Sequence, residues 1–175
     1  ELGAQGLNAY IFALITLDSE SYTVPDGSRY TRTGIIKEIL AAEEPGGGFG
    51  LDKGAFDIDI TAMALQALAP YCGSQNALSV GISPGEISRT VDRALERLAA
   101  VMKENCTFCS YGAENTESTA QVIIALCSLG IDPRTDERFM RGGKNIVDGM
   151  QSFLLPGSVY RHSANDSQGN LMSTE

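Results

Sequence analysis

One segment recurs along this chain at a nearly constant interval, and that recurrence limits its possible folds more than any single motif. "DIDITAMALQAL" (57–68) aligns with "NTESTAQVIIAL" (115–126) at an offset of 58 residues. Thr61 then falls on Thr119, Ala62 on Ala120, Ala67 on Ala125 and Leu68 on Leu126. "NLMST" (170–174) continues the series 55 residues later, with Thr174 on Thr119. "QGLNAYIFALITL" (5–17) begins it 54 residues earlier, with Ala13-Leu14 on Ala67-Leu68. A period of this size marks stacked supersecondary units, none of which buries its apolar face alone.

Each period also holds an amphipathic segment. In "SPGEISRTVDRALERLAAVMKEN", Ser83, Pro84 and Glu86 read as an N-cap, a first-turn proline and a capping-box acid. Ile87, Val91, Leu95, Leu98 and Met102 recur at helical spacing, while Arg89, Arg93, Glu96 and Arg97 define a solvated outer face. The counterparts are "TRTGIIKEILAAEE" (31–44) and "GKNIVDGMQSFLL" (143–155), the latter after a capped turn at "DPRTDERFM" with Asp132 before Pro133. Outer and inner helices are joined by "PGGGFG" (45–50), "CTFCSYG" (106–112) and "PGSVYRH" (156–162). Their glycines permit positive φ and close backbone approach. Phe49, Tyr111 and Tyr160 are expected to occupy equivalent places, plugging the gaps between helix pairs.

"GGGFG…DIDITAMALQAL", followed by "ENTESTAQVIIALCSLGIDP", resembles the prenyltransferase and squalene-oxidase repeat. That repeat builds the α/α toroids of terpenoid cyclases, protein prenyltransferase β subunits and cobalamin carriers. The likeness covers nearly the whole chain and is closest to divergent repeat domains of secreted or surface proteins of anaerobic gut bacteria. It implies an all-α fold over residues 1–175: a partial α/α toroid of three outer/inner pairs plus an N-terminal inner helix. Such an arc leaves apolar end faces for the rest of a parent chain, or a second copy, to cover. "ELGAQGLNAY" and "GNLMSTE" read as cuts within a longer protein, so a segment of a larger extracellular or cell-surface protein is expected.

Class II terpene cyclases carry a D-x-D-D-T-A motif whose middle carboxyl, kept protonated in an apolar cavity, protonates an alkene or epoxide. "DIDITAMA" supplies Asp57, Asp59 and Thr61-Ala62 but places Ile60 where a further acid belongs. With no Trp and only 6 Tyr and 6 Phe, the chain is also poor in the aromatic lining that stabilises carbocations. The repeat offers another explanation. Asp57 aligns with Asn115 and Asn170, three good N-caps at one position, each contributing roughly 0.5–2 kcal/mol over Ala. Asp59 aligns with Glu117 in the first helical turn, where the helix dipole stabilises a carboxylate by roughly 0.3–1 kcal/mol. That environment favours the charged form, the opposite of what an alkene-protonating acid needs. Helix starts account for both acids and their recurrence, whereas catalysis by Asp59 accounts for one repeat.

The toroid resemblance places Asp57, Asp59, Asn115, Glu117 and Asn170 around one mouth of a central cavity, with Tyr111, Glu114 and Tyr160 beside them. Such a rim would bind a cation, a polar small molecule or a peptide. The expected function is a non-catalytic repeat module for scaffolding or ligand recognition. The alternatives are a degenerate class II cyclase using Asp59, with Asp57, and a cobalamin-carrier-like small-molecule binder. A prenyltransferase would need Asp, Cys and His converging on zinc, but His162 lies in a loop without that context and reads as a solvated surface residue. Cys106 and Cys109 form a C-x-x-C without a second half, since Cys72 and Cys127 are isolated, so reduced thiols are expected ahead of a disulfide or zinc. No metal or cofactor is assigned. A net charge of −9 and a pI near 4.6 repel phosphate backbones and argue against nucleic acid. Mean hydropathy is −0.05, and no run of about 18 uncharged apolar residues provides a membrane span.

Overall fold

The structure, a computed structural model, describes residues 1–73 and 75–174. It is helix-rich, with 49% of residues helical, and carries a few short antiparallel strand pairs. The helices are α1 (Asn8–Ser19), α2 (Arg32–Ala41), α3 (Ile58–Leu68), α4 (Gln75–Ser79), α5 (Pro84–Val101), α6 (Thr116–Ser128), α7 (Ile146–Gln151) and α8 (Leu171–Thr174). The strands form three hairpins: β1 (Phe108–Ser110) with β2 (Ala113–Asn115), β3 (Met140–Arg141) with β4 (Lys144–Asn145), and β5 (Leu154–Leu155) with β6 (Val159–Tyr160). The chain divides into two compact units, Glu1–Arg97 and Leu98–Glu175, with the division inside α5.

In the first unit, α1 packs on both α2 and α3. Ile11 and Leu14 of α1, Ile35, Ile36 and Ile39 of α2, and Leu65 and Leu68 of α3 are fully or almost fully buried. Phe49, from the glycine-rich connector, joins them. Gly46, Gly47 and Gly48 all have positive φ, and a Cβ on Gly47 would meet the Arg93 carbonyl. The connector can therefore lie against α5 only because it lacks side chains there. Along α5 the predicted faces hold: Ile87, Val91, Leu95, Leu98 and Met102 are buried, and Arg89, Arg93, Glu96 and Arg97 are exposed. α5 begins at Pro84, with Glu86 in its first turn, and the Ser83 carbonyl accepts the N–H groups of Glu86 and Ile87.

In the second unit, α6 packs on α7 and β1. Phe108, Val122, Leu126, Phe139, Ile146 and Phe153 form its core. Two expectations are corrected here. The connector at 106–112 is no loop but the first half of a hairpin, turned by Tyr111 (φ 52) and Gly112 (φ 84), the pattern of a type I′ turn. The outer helix expected over 143–155 spans only Ile146–Gln151, capped by a reciprocal Asn145–Asp148 box. It closes with tight bonds from the Ser152 and Phe153 N–H groups to the Gly149 and Met150 carbonyls. Leu154-Leu155 pair instead with Val159-Tyr160. The capped turn expected at Asp132 forms there, with the Asp132 side chain accepting the Arg134 N–H at 2.9 Å, and a 3₁₀ turn (Glu137–Phe139) capped by the Asp136 side chain follows it. The wholly helical expectation is thus met only in part.

Candidate functional site

The starts of α3, α6 and α8 share one hydrogen-bonding device. The side chain of Asp57 accepts from the Ile60 N–H at 2.9 Å, that of Asn115 from the Ser118 N–H at 2.8 Å, and that of Asn170 from the Met172 N–H at 2.9 Å. Four residues after each cap stands the recurrent threonine. The Thr61 hydroxyl accepts from the Phe49 N–H at 2.8 Å and donates to the Phe49 carbonyl at 3.0 Å. Thr119 accepts from the Phe108 N–H at 3.2 Å, and Thr174 from the Tyr160 N–H at 2.9 Å. Both of these threonines donate back to the carbonyl of their own cap residue. Each of the three ties the backbone of an aromatic residue in the preceding connector to the first turn of a helix. Thr61 and Thr119 are fully buried and tolerate it because this device satisfies their hydroxyls.

This geometry corrects one assignment. The aromatic equivalent to Phe49 and Tyr160 is Phe108, which is buried, and not Tyr111, which stands 98% exposed at the hairpin turn. Tyr111 plugs no gap.

Of the expected rim residues, several meet in the second unit. Glu117, in the first turn of α6, accepts from the Ser173 hydroxyl of α8 and lies 2.8 Å from His162 Nδ1. Asn115 and Asn170 cap the two helices so joined, and Tyr160 donates its N–H to Thr174 and accepts from the Asn170 N–H. Glu114 is held apart from them, by Asn105 Nδ2 at 2.7 Å and the Thr107 hydroxyl at 2.9 Å. The Asn105 hydrogen bond, joined by the Thr107 hydroxyl, holds the Glu114 carboxyl below its ordinary pKa. In the first unit Asp57 is the cap of α3, and Asp59 is half-buried in its first turn. His162 is exposed at the surface, with 53% of its side chain accessible, and there it pairs with Glu117. Serine and histidine sit on opposite oxygens of one carboxylate here. The order that activates a nucleophile, with the imidazole between hydroxyl and acid, is not formed.

The four cysteines are unpaired, and Cys106 is buried with its Sγ 3.4 Å from the Lys144 carbonyl oxygen. No group of three His, Cys, Asp or Glu side chains suited to a metal ion occurs among the described residues. No helix among them is long and apolar enough to cross a membrane.

A second site, which sequence reasoning missed, lies in the first unit at the C-terminal ends of α1 and α3. A cleft of about 620 Å³ is bounded by the end of α1, the following loop, the start of α2, the turn after α3, and α4. On its wall Asp18 accepts from Arg32 Nε at 2.8 Å and from the Tyr71 hydroxyl at 2.8 and 3.0 Å. Arg32 also donates through Nη2 to the Leu17 carbonyl. The Asp18 and Arg32 side chains are each 20% exposed, and Tyr71 is buried. Burial, and then the hydrogen bond to Asp18, push the Tyr71 phenol well above its ordinary pKa, so it remains a neutral donor. The hydrogen bond to Asp18 raises Arg32 and keeps it charged. Ser21, Tyr22, Thr23, Asn76 and Ser79 complete the polar wall, with Val24, Pro70 and Val80 as its apolar part. No regular spacing links residues 18, 32 and 71, so periodicity gives no sign of this group. An acid in the last turn of one helix and a base at the start of the next is the only local hint. No family model matches the sequence, and comparison with curated proteins and with solved structures gives no significant match.

Proposed function

We propose that this chain is a non-catalytic repeat module of a larger secreted or surface protein, serving scaffolding or ligand recognition. In this reading its helix pairs belong to a partial α/α toroid of the prenyltransferase type. What supports it is the single hydrogen-bonding role shared by Asp57, Asn115 and Asn170. An acid replaced by an amide in two equivalent positions is a helix cap, since both side chains accept the same N–H bond and only one carries a proton-donor's chemistry. Thr61, part of the cyclase-like motif, is likewise committed to bracing Phe49.

Apolar surface suits a module that is covered by further protein. Phe12 of α1 is half exposed over a groove lined by Ala9, Ala13, Leu17, Tyr30 and Ile35, and Leu171 and Met172 of α8 are at least 80% exposed. The rest of a parent chain, or a second copy, is the partner proposed for these surfaces. Incubation of the complete parent protein with squalene, oxidosqualene or geranylgeranyl diphosphate tests the reading. No product is expected, and turnover abolished by Asp59→Asn would establish the cyclase alternative in its place.

A further inference from the structure

The cleft between the ends of α1 and α3 contains features that fold stability alone disfavours. Asp18 lies in the last turn of α1, where the helix macrodipole disfavours a carboxylate. Arg32 is the first residue of α2, where the same effect disfavours a cation. Ser21, on the cleft wall, has φ 52 and closes the C-terminus of α1, its N–H bonded to the Asp18 carbonyl and the Tyr22 N–H to the Leu17 carbonyl. Asp18 and Arg32 depart from local preference in the way residues at functional sites often do.

The chemistry of the wall selects a class of ligand. Asp18 and Arg32 cancel each other at 2.8 Å, so a charged ligand would have to compete with a fixed partner, whereas a neutral one leaves the pair intact. The pair still offers acceptor capacity on the carboxylate and the Nη1 donors of Arg32, which bond to no protein group among the described residues. Thr23, Asn76 and Ser79 add short donors and acceptors around them. Tyr22, 53% exposed, supplies an aromatic flank. A charge-neutral hydrogen-bonding pair beside an exposed ring matches a molecule with hydroxyls at its rim and C–H groups on its faces. The volume of about 620 Å³ is within the range of small-molecule sites.

We propose that this cleft binds an uncharged saccharide, whose hydroxyls donate to Asp18 and accept from Arg32 while a ring face lies on Tyr22. The proposal rests on the recognition-module reading and gives it a site and a ligand class. It also moves recognition away from the helix caps, which are occupied by their own helices.

The test is an amide-resolved NMR titration of the intact chain with maltose, cellobiose, lactose and N,N′-diacetylchitobiose, with acetate and methylammonium as charged probes. At least one disaccharide should shift the amides of residues 18–24, 32–33, 71 and 76–80 saturably. Tyr22→Ala and Asp18→Asn should each weaken that binding by about fivefold or more. If Asp18→Asn fails to fold, Tyr22→Ala carries the test, because its side chain is exposed. The inference is overturned if no disaccharide shifts these amides at tens of millimolar. It is equally overturned if acetate or methylammonium binds there instead, or if Tyr22→Ala leaves sugar affinity unchanged. Each of those results leaves the non-catalytic module reading standing, which only turnover of a prenyl substrate removes.

Discussion

Single hydroxyl groups carry much of the specification in this protein. Thr61 and Thr119 are buried β-branched residues in the first turn of a helix, where propensity alone disfavours them. Their value lies in closing the bond between connector and helix. Thr61→Val keeps the shape but leaves the Phe49 N–H, which is buried, without its partner. Thr61→Val and Thr119→Val should each cost about 1–3 kcal/mol, read from urea unfolding midpoints. Thr61→Ser, which keeps the hydroxyl, should lose clearly less; equal losses for Ser and Val would mean that methyl packing, not the hydrogen bond, matters. The caps of this device were legible in the sequence because an N-cap acts over three residues and its alphabet is small. The choice of Phe108 over Tyr111 was not legible, since it depends on where the hairpin turns.

At the scale of elements, helix faces were legible and helix lengths were not. The alternation of buried and exposed residues along α5 follows from a period of 3.6, which the sequence displays directly. The shortening of α7 and the three hairpins follow from turn chemistry that was present but unread. "RGGK" at 141–144 places two adjacent glycines between strand residues, with φ of 56 and 78, a two-residue hairpin signal. The same short α7 passes close to the 105–106 backbone. A Cβ on Gly149 would overlap the Cys106 carbonyl, and Asn105 O lies next to it. Gly149→Ala, a change that favours most helices, should here destabilise by about 1–3 kcal/mol or more through overpacking. Thermal melting checks this, and a raised melting temperature would show that α7 and residues 105–106 are not packed as described.

For the molecule as a whole, acid acts on the fold through carboxyls held by hydrogen bonds. The Arg138 hydrogen bond beside Asp136, and the Asn105 and Thr107 bonds to Glu114, hold those two carboxyls below their ordinary pKa values. A carboxyl depressed in the folded state contributes stability that is fully present above its unfolded pKa, about 4. That contribution is lost as pH falls from there through the folded value. Urea midpoints should therefore hold between neutrality and about pH 5 and fall below about pH 4. Glu114→Gln should flatten part of that fall; a variant with an undiminished slope would exclude Glu114 as a source. The net charge of −9 at pH 7 acts in the opposite sense, because protonation relieves self-repulsion. A net loss of stability in acid therefore requires the hydrogen-bonded carboxyls to outweigh it.

What the sequence determined by itself was everything carried by short-range order: the recurrent segment, the caps at 57, 115 and 170, the helices that follow them and the faces of α5. Interactions over one to four residues depend only on residue type and local backbone, so they can be read without knowing the fold. Tertiary structure alone decided which groups meet across long separations. His162 reaches Glu117 over 45 residues, and Tyr71 reaches Asp18 over 53. No periodicity encodes such meetings, because they are set by how connectors turn and which helix ends converge. The cleft on Asp18, Arg32 and Tyr71 is a product of that convergence.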